Sequence, residues 1–258
     1  MQSNFVLIVP FVFGAVVGSF LNVCIYRIPA GRSIVFPGSS CPACGQAIAF
    51  YDNIPVFSYL LLRGRCRRCA APFSFQYPLV ELLSAVFATA LFIRSGASVE
   101  TLIYFVFISA LIVITFIDLE HRIIPDVISL PGIPIGFAAS FVLPAMNWQD
   151  SAIGVLAGGG ILLAIAVAYY VVAKNEGMGG GDVKLLAMIG AFLGWQGALM
   201  TLLLASLSGS IIGLAMMLLY GKDSKYAIPF GPFLAAGALA YLFLGRRLIS
   251  WYFTVSGF

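Results

Sequence analysis

Charge is what this sequence has least of. Only 9% of its 258 residues are Asp, Glu, Lys or Arg, where a soluble domain carries about a quarter. With 61% hydrophobic residues and a mean hydropathy of +1.04, that deficit excludes a soluble globular domain. Histidine is scarcer still. His121 is the only one, which excludes a multi-histidine metal site. A GxSxG elbow and an HExxH helix are both missing, so serine hydrolase and zincin chemistries lack their parts. The glycine-rich GMGGGDVK at residues 177–184 is not a phosphate loop either. Its sixth position is Asp182, where that loop needs a glycine followed by lysine and where a carboxylate would repel phosphate.

What remains is apolar sequence in continuous stretches. Crossing a bilayer takes about 20 apolar residues in a helix, and lipid tolerates only backbone that satisfies its own hydrogen bonds. Continuous rather than alternating hydrophobicity points to helices and away from a barrel. Eight segments are predicted, at approximately residues 5–26, 79–94, 101–118, 127–145, 151–173, 184–196, 198–220 and 228–245. The expectation is an all-α polytopic membrane protein of about eight transmembrane helices. Its divisions are a first helix (1–26), a polar loop domain (27–78) and a transmembrane domain (79–258). The sixth segment is short for a span. No basic region precedes the first segment and no small-residue cleavage site follows it, so it reads as a retained helix. Glycines four apart, Gly14 with Gly18, Gly190 with Gly194 and Gly209 with Gly213, predict close helix packing. Cys24, inside the first span, reads as a small buried residue.

If residues 27–78 face the cytoplasm, eleven of the fourteen lysines and arginines do so too, which is the bias that orients membrane proteins. Arg94, Arg246 and Arg247 fall outside, and the last two stand on the disfavoured side of the eighth span. The net charge of +4 then needs no nucleic acid, because a basic face against anionic lipid headgroups accounts for it.

Four of the five cysteines lie in the polar loop, as CPAC at 41–44 and CRRC at 66–69, with 21 residues between. Thiolates two residues apart fit one edge of a tetrahedral zinc site, and two such knuckles supply all four ligands: Cys41, Cys44, Cys66 and Cys69. Two disulfides are the alternative, disfavoured where thiols are kept reduced. Four thiolates leave no open position, so the zinc is expected to be structural. It would supply folding free energy to a loop too small to bury a core. Arg65, Arg67 and Arg68 lie beside the second knuckle and would offset the negative charge of a tetrathiolate. A zinc ribbon can also grip nucleic acid, but the tether to eight apolar spans argues against that use.

The chain has just ten acidic residues, so their placement carries information. Acids at membrane depth are costly and are functional candidates by default. Asp118, Glu120 and Asp126 end the third span, and Asp182 begins the sixth. Asp118 and Asp182 therefore share one membrane face although they are 64 residues apart (182 − 118). Two carboxyls close enough to share a proton can activate water with one and protonate a scissile carbonyl with the other. The glycines before Asp182 would let an extended peptide backbone approach and would break the helix where it lines a polar cavity. The bland alternative makes Asp182 the N-cap of the sixth span, and N-capping is the expectation for Asp126. Glu120, His121 and Arg122 read as a solvated interfacial turn.

These residues resemble the type IV prepilin peptidases, bacterial inner-membrane aspartic peptidases of the GxGD class. The resemblance rests on GSFLNVCIYRIP (18–29), the two CxxC knuckles flanking NIPVFSYLLLRGR (53–65), YPLVELL (77–83), DLEHRIIPD (118–126) and GMGGGDVKLL (177–186). It implies Asp118 and Asp182 as the catalytic pair and Cys41, Cys44, Cys66 and Cys69 as zinc ligands. It further implies prepilin or pseudopilin substrates cleaved at the cytoplasmic face. N-methylation of the new terminus with S-adenosylmethionine rests on the resemblance alone, with Glu81 as a candidate to face that site or, otherwise, to pair with a nearby arginine. Two other readings stay open at this stage. One is a peptidase without methylase activity, as in related archaeal preflagellin enzymes, which the cysteine loop argues against. The other is an ion-coupled transporter, whose site would sit near the bilayer midplane between repeats.

Overall fold

The computed structural model describes the backbone of residues 2–144, 146–174, 179–220 and 228–256, and the side chains of 6–144, 146–174, 179–219 and 228–245. Gly177 and Met178 of the glycine run, Lys222 and Lys225 of the basic count, and the side chains of Arg246 and Arg247 lie outside them. Among the described residues there is no β-strand. The elements are α1 (Gln2–Arg27), a 3-10 turn (Phe50–Asn53), α2 (Phe57–Leu61), α3 (Gln76–Ser95), α4 (Val99–His121), α5 (Asp126–Ala139), α6 (Trp148–Ala173), α7 (Gly180–Tyr220) and α8 (Gly231–Ser256). Five helices are long and apolar enough to cross a membrane, namely α1, α3, α4, α6 and α7, and two apolar stretches, Asp126–Ala139 and Gly231–Gly245, are shorter. The chain forms two compact units, Met1–Val113 and Ile114–Phe258.

In the second unit the sixth and seventh predicted segments are one element, α7. Its apolar stretch of 40 residues would be about 60 Å long as a straight helix, twice the hydrocarbon thickness. It is broken at Gly194, whose φ of 73° and ψ of 179° are not helical. The packing shows that the chain reverses there. Gly190 abuts the Gly154 backbone and Leu186 meets Gly158, so residues 180–193 run antiparallel to α6. Beyond the break, Gly197 meets Tyr241 and Thr201 meets Gly237, so this limb runs antiparallel to α8. Gly181 touches Ile124, while Gly209 neighbours Phe230, next to Gly231, which touches Asp118. The start of the first limb and the Gly209 region of the second therefore both lie near the 118–124 segment, and α7 is a helical hairpin. Gly190 and Gly154 let two backbones meet, as the small-residue spacing predicts. Among the described residues a Cβ on Gly209 or Gly213 would meet nothing nearer than 3.8 Å, so the close packing seen at Gly190 is not repeated there.

The fourth predicted segment, 127–145, is helical only to Ala139. Pro131 and Pro134 lie inside it and each removes a backbone donor, the Ser140 hydroxyl bonds the Phe137 carbonyl at 2.6 Å, and Pro144 has no N–H to continue the ladder. At 14 residues, or about 21 Å, α5 is shorter than the bilayer core.

In the first unit α1 packs on α3 through Gly14 and Gly18. A Cβ at Gly14 would lie 2.7 Å from Ala85 Cα, and one at Gly18 2.6 Å from Glu81 Cα. The loop between them holds two knuckles built alike. Cys41 N–H bonds the Gln46 carbonyl and Gly45 N–H bonds that of Cys41, at 2.9 and 2.8 Å; Cys66 with Ala71 and Ala70 with Cys66 repeat the pair at 2.9 Å each. Antiparallel bridges Ser40 to Ala47 and Arg65 to Pro72 close both. The residue after each second cysteine is left-handed, Gly45 at φ 70° and Ala70 at φ 57°. Glycine adopts that conformation freely, whereas alanine does so at a cost. Ala70→Gly should accordingly stabilise the second knuckle by about 0.5–1 kcal/mol. The measurement is zinc loss to a chelator, expected to need about two- to five-fold more competitor; equal or easier loss would contradict it.

Candidate functional site

Asp118 stands in the last turn of α4 and is only 5% exposed. Its Oδ2 accepts the Gly231 N–H at 2.9 Å. The first amides of any helix lack intrahelical partners, and at the start of α8 one is aimed at this carboxylate. Glycine is required there, since a Cβ on Gly231 would lie 2.6 Å from Asp118 Oδ2. Asp182 lies in the first turn of α7, partly buried and within electrostatic reach of Asp118. The fold thus brings together the two aspartates that the sequence placed on one membrane face. Asp182 is inside the helix rather than at its cap, with its N–H on the Gly179 carbonyl at 3.2 Å. The described glycines before it differ in use. Among the described residues Gly180 has nothing within 4 Å of where a Cβ would stand and Gly179 only Asp182 Oδ2, at 4.0 Å, whereas a Cβ on Gly181 would lie 2.9 Å from Ile124 Cβ. Among the described residues, then, two have no close neighbour and the third packs.

Asp126 does not cap α5. Pro125 holds the cap position without a side-chain bond, and both Asp126 oxygens accept from Lys184 Nζ at 2.8 Å. The pair is exposed and adds little stability, but it ties the start of α5 to the first turns of α7, two residues past Asp182. Glu120 and His121 form the expected exposed turn, 3.8 Å apart.

In the first unit, the ligand atoms of Cys41, Cys44, Cys66 and Cys69 all lie within 4.8 Å of one another. Cys41 Sγ is 3.8 Å from Cys69 Sγ, which is the edge of a tetrahedron with metal–sulfur bonds of about 2.3 Å and far outside the length of a disulfide. The backbone N–H groups of Cys69 and Arg68 turn toward Cys66 and pull its thiol down to about 7, toward the thiolate that a metal needs. The chemistry and spacing fit zinc. Arg67 is committed elsewhere. It grips Asp52 through Nε at 3.0 and 2.9 Å and Nη2 at 2.6 Å, holding that carboxyl below its ordinary range. Of the three arginines beside the second knuckle, Arg67 is thus matched by Asp52.

Between this cluster and the helices lies a cavity of about 380 Å³, whose wall includes Ser19, Asn22, Tyr26, Val56, Tyr59 and Glu81. Asn22 and Glu81 are 5% and 7% exposed. Asn22 Nδ2 bonds the Tyr77 carbonyl at 3.0 Å. Glu81 accepts the Val56 N–H at 2.7 Å, so its partner is a backbone amide and not an arginine. Neither Gly231 nor Val56 was picked out by sequence reading. The only signal was PFGP at 229–232 for the first, and none exists for the second.

These features define a helical membrane protein with a paired-aspartate site in one unit and a four-cysteine metal-binding cluster in the other. The known proteins it resembles narrow that class. Residues 12–95 match the Bacterial Peptidase A24 N-terminal domain and residues 105–214 the Type IV leader peptidase family. Prepilin leader peptidase/N-methyltransferase of Aeromonas hydrophila is 37% identical over 268 residues, 95% of this chain and 92% of that protein. The Pseudomonas putida protein of the same name is 35% identical over 265 residues, covering 94% and 92%. That of Myxococcus xanthus is 43% identical over 215 residues, 82% of this chain, and the aligned part spans 63% of its length. No solved structure matches. The chain belongs to the type IV leader peptidase family.

Proposed function

We propose that this protein cleaves the leader from type IV prepilins or pseudopilins with Asp118 and Asp182, then N-methylates the new terminus. The burial of Asp118, oriented by the Gly231 amide and within electrostatic reach of Asp182, is the observation that carries the peptidase half. One carboxylate takes a proton from water as the oxygen attacks the scissile carbonyl, and the other carboxyl donates its proton to the carbonyl oxygen. Collapse then passes a proton to the departing amine, and the pair again holds one proton.

The family and its relatives' names support the methylation half. S-adenosylmethionine, when bound, supplies the methyl: the amine nitrogen bonds its carbon, the carbon–sulfur bond breaks toward sulfur, S-adenosylhomocysteine leaves and a proton passes from nitrogen to solvent. Cys41, Cys44, Cys66 and Cys69 would hold a structural zinc in the loop of 27–78, the methyltransferase-associated part, with residues 79–258 as the peptidase domain.

The setting is the bacterial inner membrane, with the aspartates on the cytoplasmic side where the basic residues gather. Lipid is a partner also of the loop. In α2, Phe57, Leu60 and Leu61 are 59%, 68% and 65% exposed while Ser58 is buried, so its apolar face points outward, as suits a bilayer interface. The test is to incubate the purified protein with a prepilin and S-adenosylmethionine and to weigh the product. A mature chain heavier by one methyl is expected; an uncleaved substrate overturns the peptidase reading, and a cleaved but unmethylated one the methylase reading.

A further inference from the structure

The peptidase mechanism leaves one buried acid unused. Glu81 is 7% exposed, and among the described residues no lysine, arginine or histidine forms an ion pair with it. A carboxylate in such a place is costly unless a cation meets it, and at membrane depth an ionisable group marks a functional site. Its partners are the Val56 amide and the Ser19 side chain, and the Val56 peptide is itself unusual. Val56 has φ 60° and ψ −48°, where a β-branched side chain is strained. The strain turns the N–H toward Glu81 and holds the carboxylate on the cavity wall. Asp52, the other carboxylate on that wall, is already gripped by Arg67.

The cavity beside it, about 380 Å³, is in the range of small-molecule sites. Tyr26 and Tyr59 offer rings for a planar base, and Arg32 and Arg65 offer guanidiniums for a ligand carboxylate. Of the arginines on the wall, Arg27, Arg32 and Arg65, none forms an ion pair with Glu81, and a methyl donor with an ammonium and a sulfonium brings a cation to it.

Building on the methyl-transfer reading above, we propose that this cavity is the methyl-donor site and that Glu81 receives the donor's cationic aminoacyl end, held in place by the Val56 amide. The ligand class is a zwitterionic aminoacyl nucleoside. Glu81 is a binding residue here and takes no part in leader cleavage.

The probe is S-adenosylhomocysteine, titrated by calorimetry into the full chain in nanodiscs. It lacks the sulfonium but keeps the ammonium that Glu81 would meet. One site is expected, with Glu81→Gln weakening Kd at least ten-fold while zinc content stays at the wild-type level, and Glu81→Asp recovering part of the loss. Binding by Glu81→Gln equal to that of wild type overturns the assignment. If Glu81→Gln loses its zinc, photolabelling of the wild-type chain with an azido-adenosyl analogue decides: label within residues 19–81 supports the proposal and label within 114–245 overturns it. A wild-type chain that methylates while failing either arm sinks this site alone. A wild-type chain that neither binds the probe nor methylates sinks the methyl-transfer reading, and this site with it.

Discussion

Asp118→Asn and Asp182→Asn should each reduce prepilin cleavage by about 10³-fold or more, with the protein still inserted and its zinc retained. The chemistry requires one carboxyl that accepts a proton and one that donates, and an amide does neither at neutral pH. Asparagine keeps the shape, so helix packing around α4 and α7 has no reason to fail. In Asp118→Asn the amide oxygen can still accept the Gly231 N–H, which makes this variant a test of charge rather than of structure. Gly231→Ala supplies the complementary test of position. Its Cβ would stand 2.6 Å from Asp118 Oδ2 and displace the carboxylate. A misplacement of about 1 Å costs up to about 10²-fold, so cleavage should fall by about 10- to 100-fold. The loss should appear in kcat, with KM nearly constant. Cleavage kinetics in detergent or vesicles measure all three variants. Full activity in either Asp variant would remove that residue from the mechanism, and an unchanged Gly231→Ala would remove the helix amide.

The second large effect is expected in the loop. Removing zinc, or the ligand Cys41, should unfold residues from about Ser33 to Phe73 and leave the long helices intact. Of residues 28–77 only Cys41, Ser58 and Gly64 are buried, and none is a large apolar side chain. Phe36, Phe50 and Leu60 are 77%, 87% and 68% exposed. A segment that buries so little cannot offset its conformational entropy by hydrophobic burial. Structural zinc binding carries about 10–16 kcal/mol of apparent free energy, enough to decide the folding of this loop outright. Trypsin should then cut at Arg63, Arg65, Arg67 and Arg68 in the chelated protein or in Cys41→Ser, and not in the zinc-loaded wild type, while far-ultraviolet circular dichroism changes little. Zinc-free protein that resists trypsin at those arginines would show that the loop folds without metal.

Much of this protein is determined by sequence alone, because the quantities involved are local. Continuous apolar stretches mark where lipid can be met, and each of the eight is helical at least in part, the fourth only to Ala139 and the sixth and seventh within one element. Cysteines two apart can share a metal edge whatever surrounds them, and the four sulfurs do converge. Scarce acids at the ends of apolar segments stand out by their desolvation cost, which singled out Asp118 and Asp182. The tertiary structure decided what depends on contact between distant residues. Local sequence did not show whether the sixth and seventh segments are separate helices or one reversing at Gly194, because a glycine there reads equally as packing. It marked Asp126 as a cap, since the pairing lysine lies in another helix, 58 residues on. Nothing near Asp118 announced that an amide at the start of α8 would orient it, and nothing near Val56 announced Glu81. Periodicity and composition fix what each segment can do in lipid, whereas a site is made where segments meet, and only packing sets which atoms do.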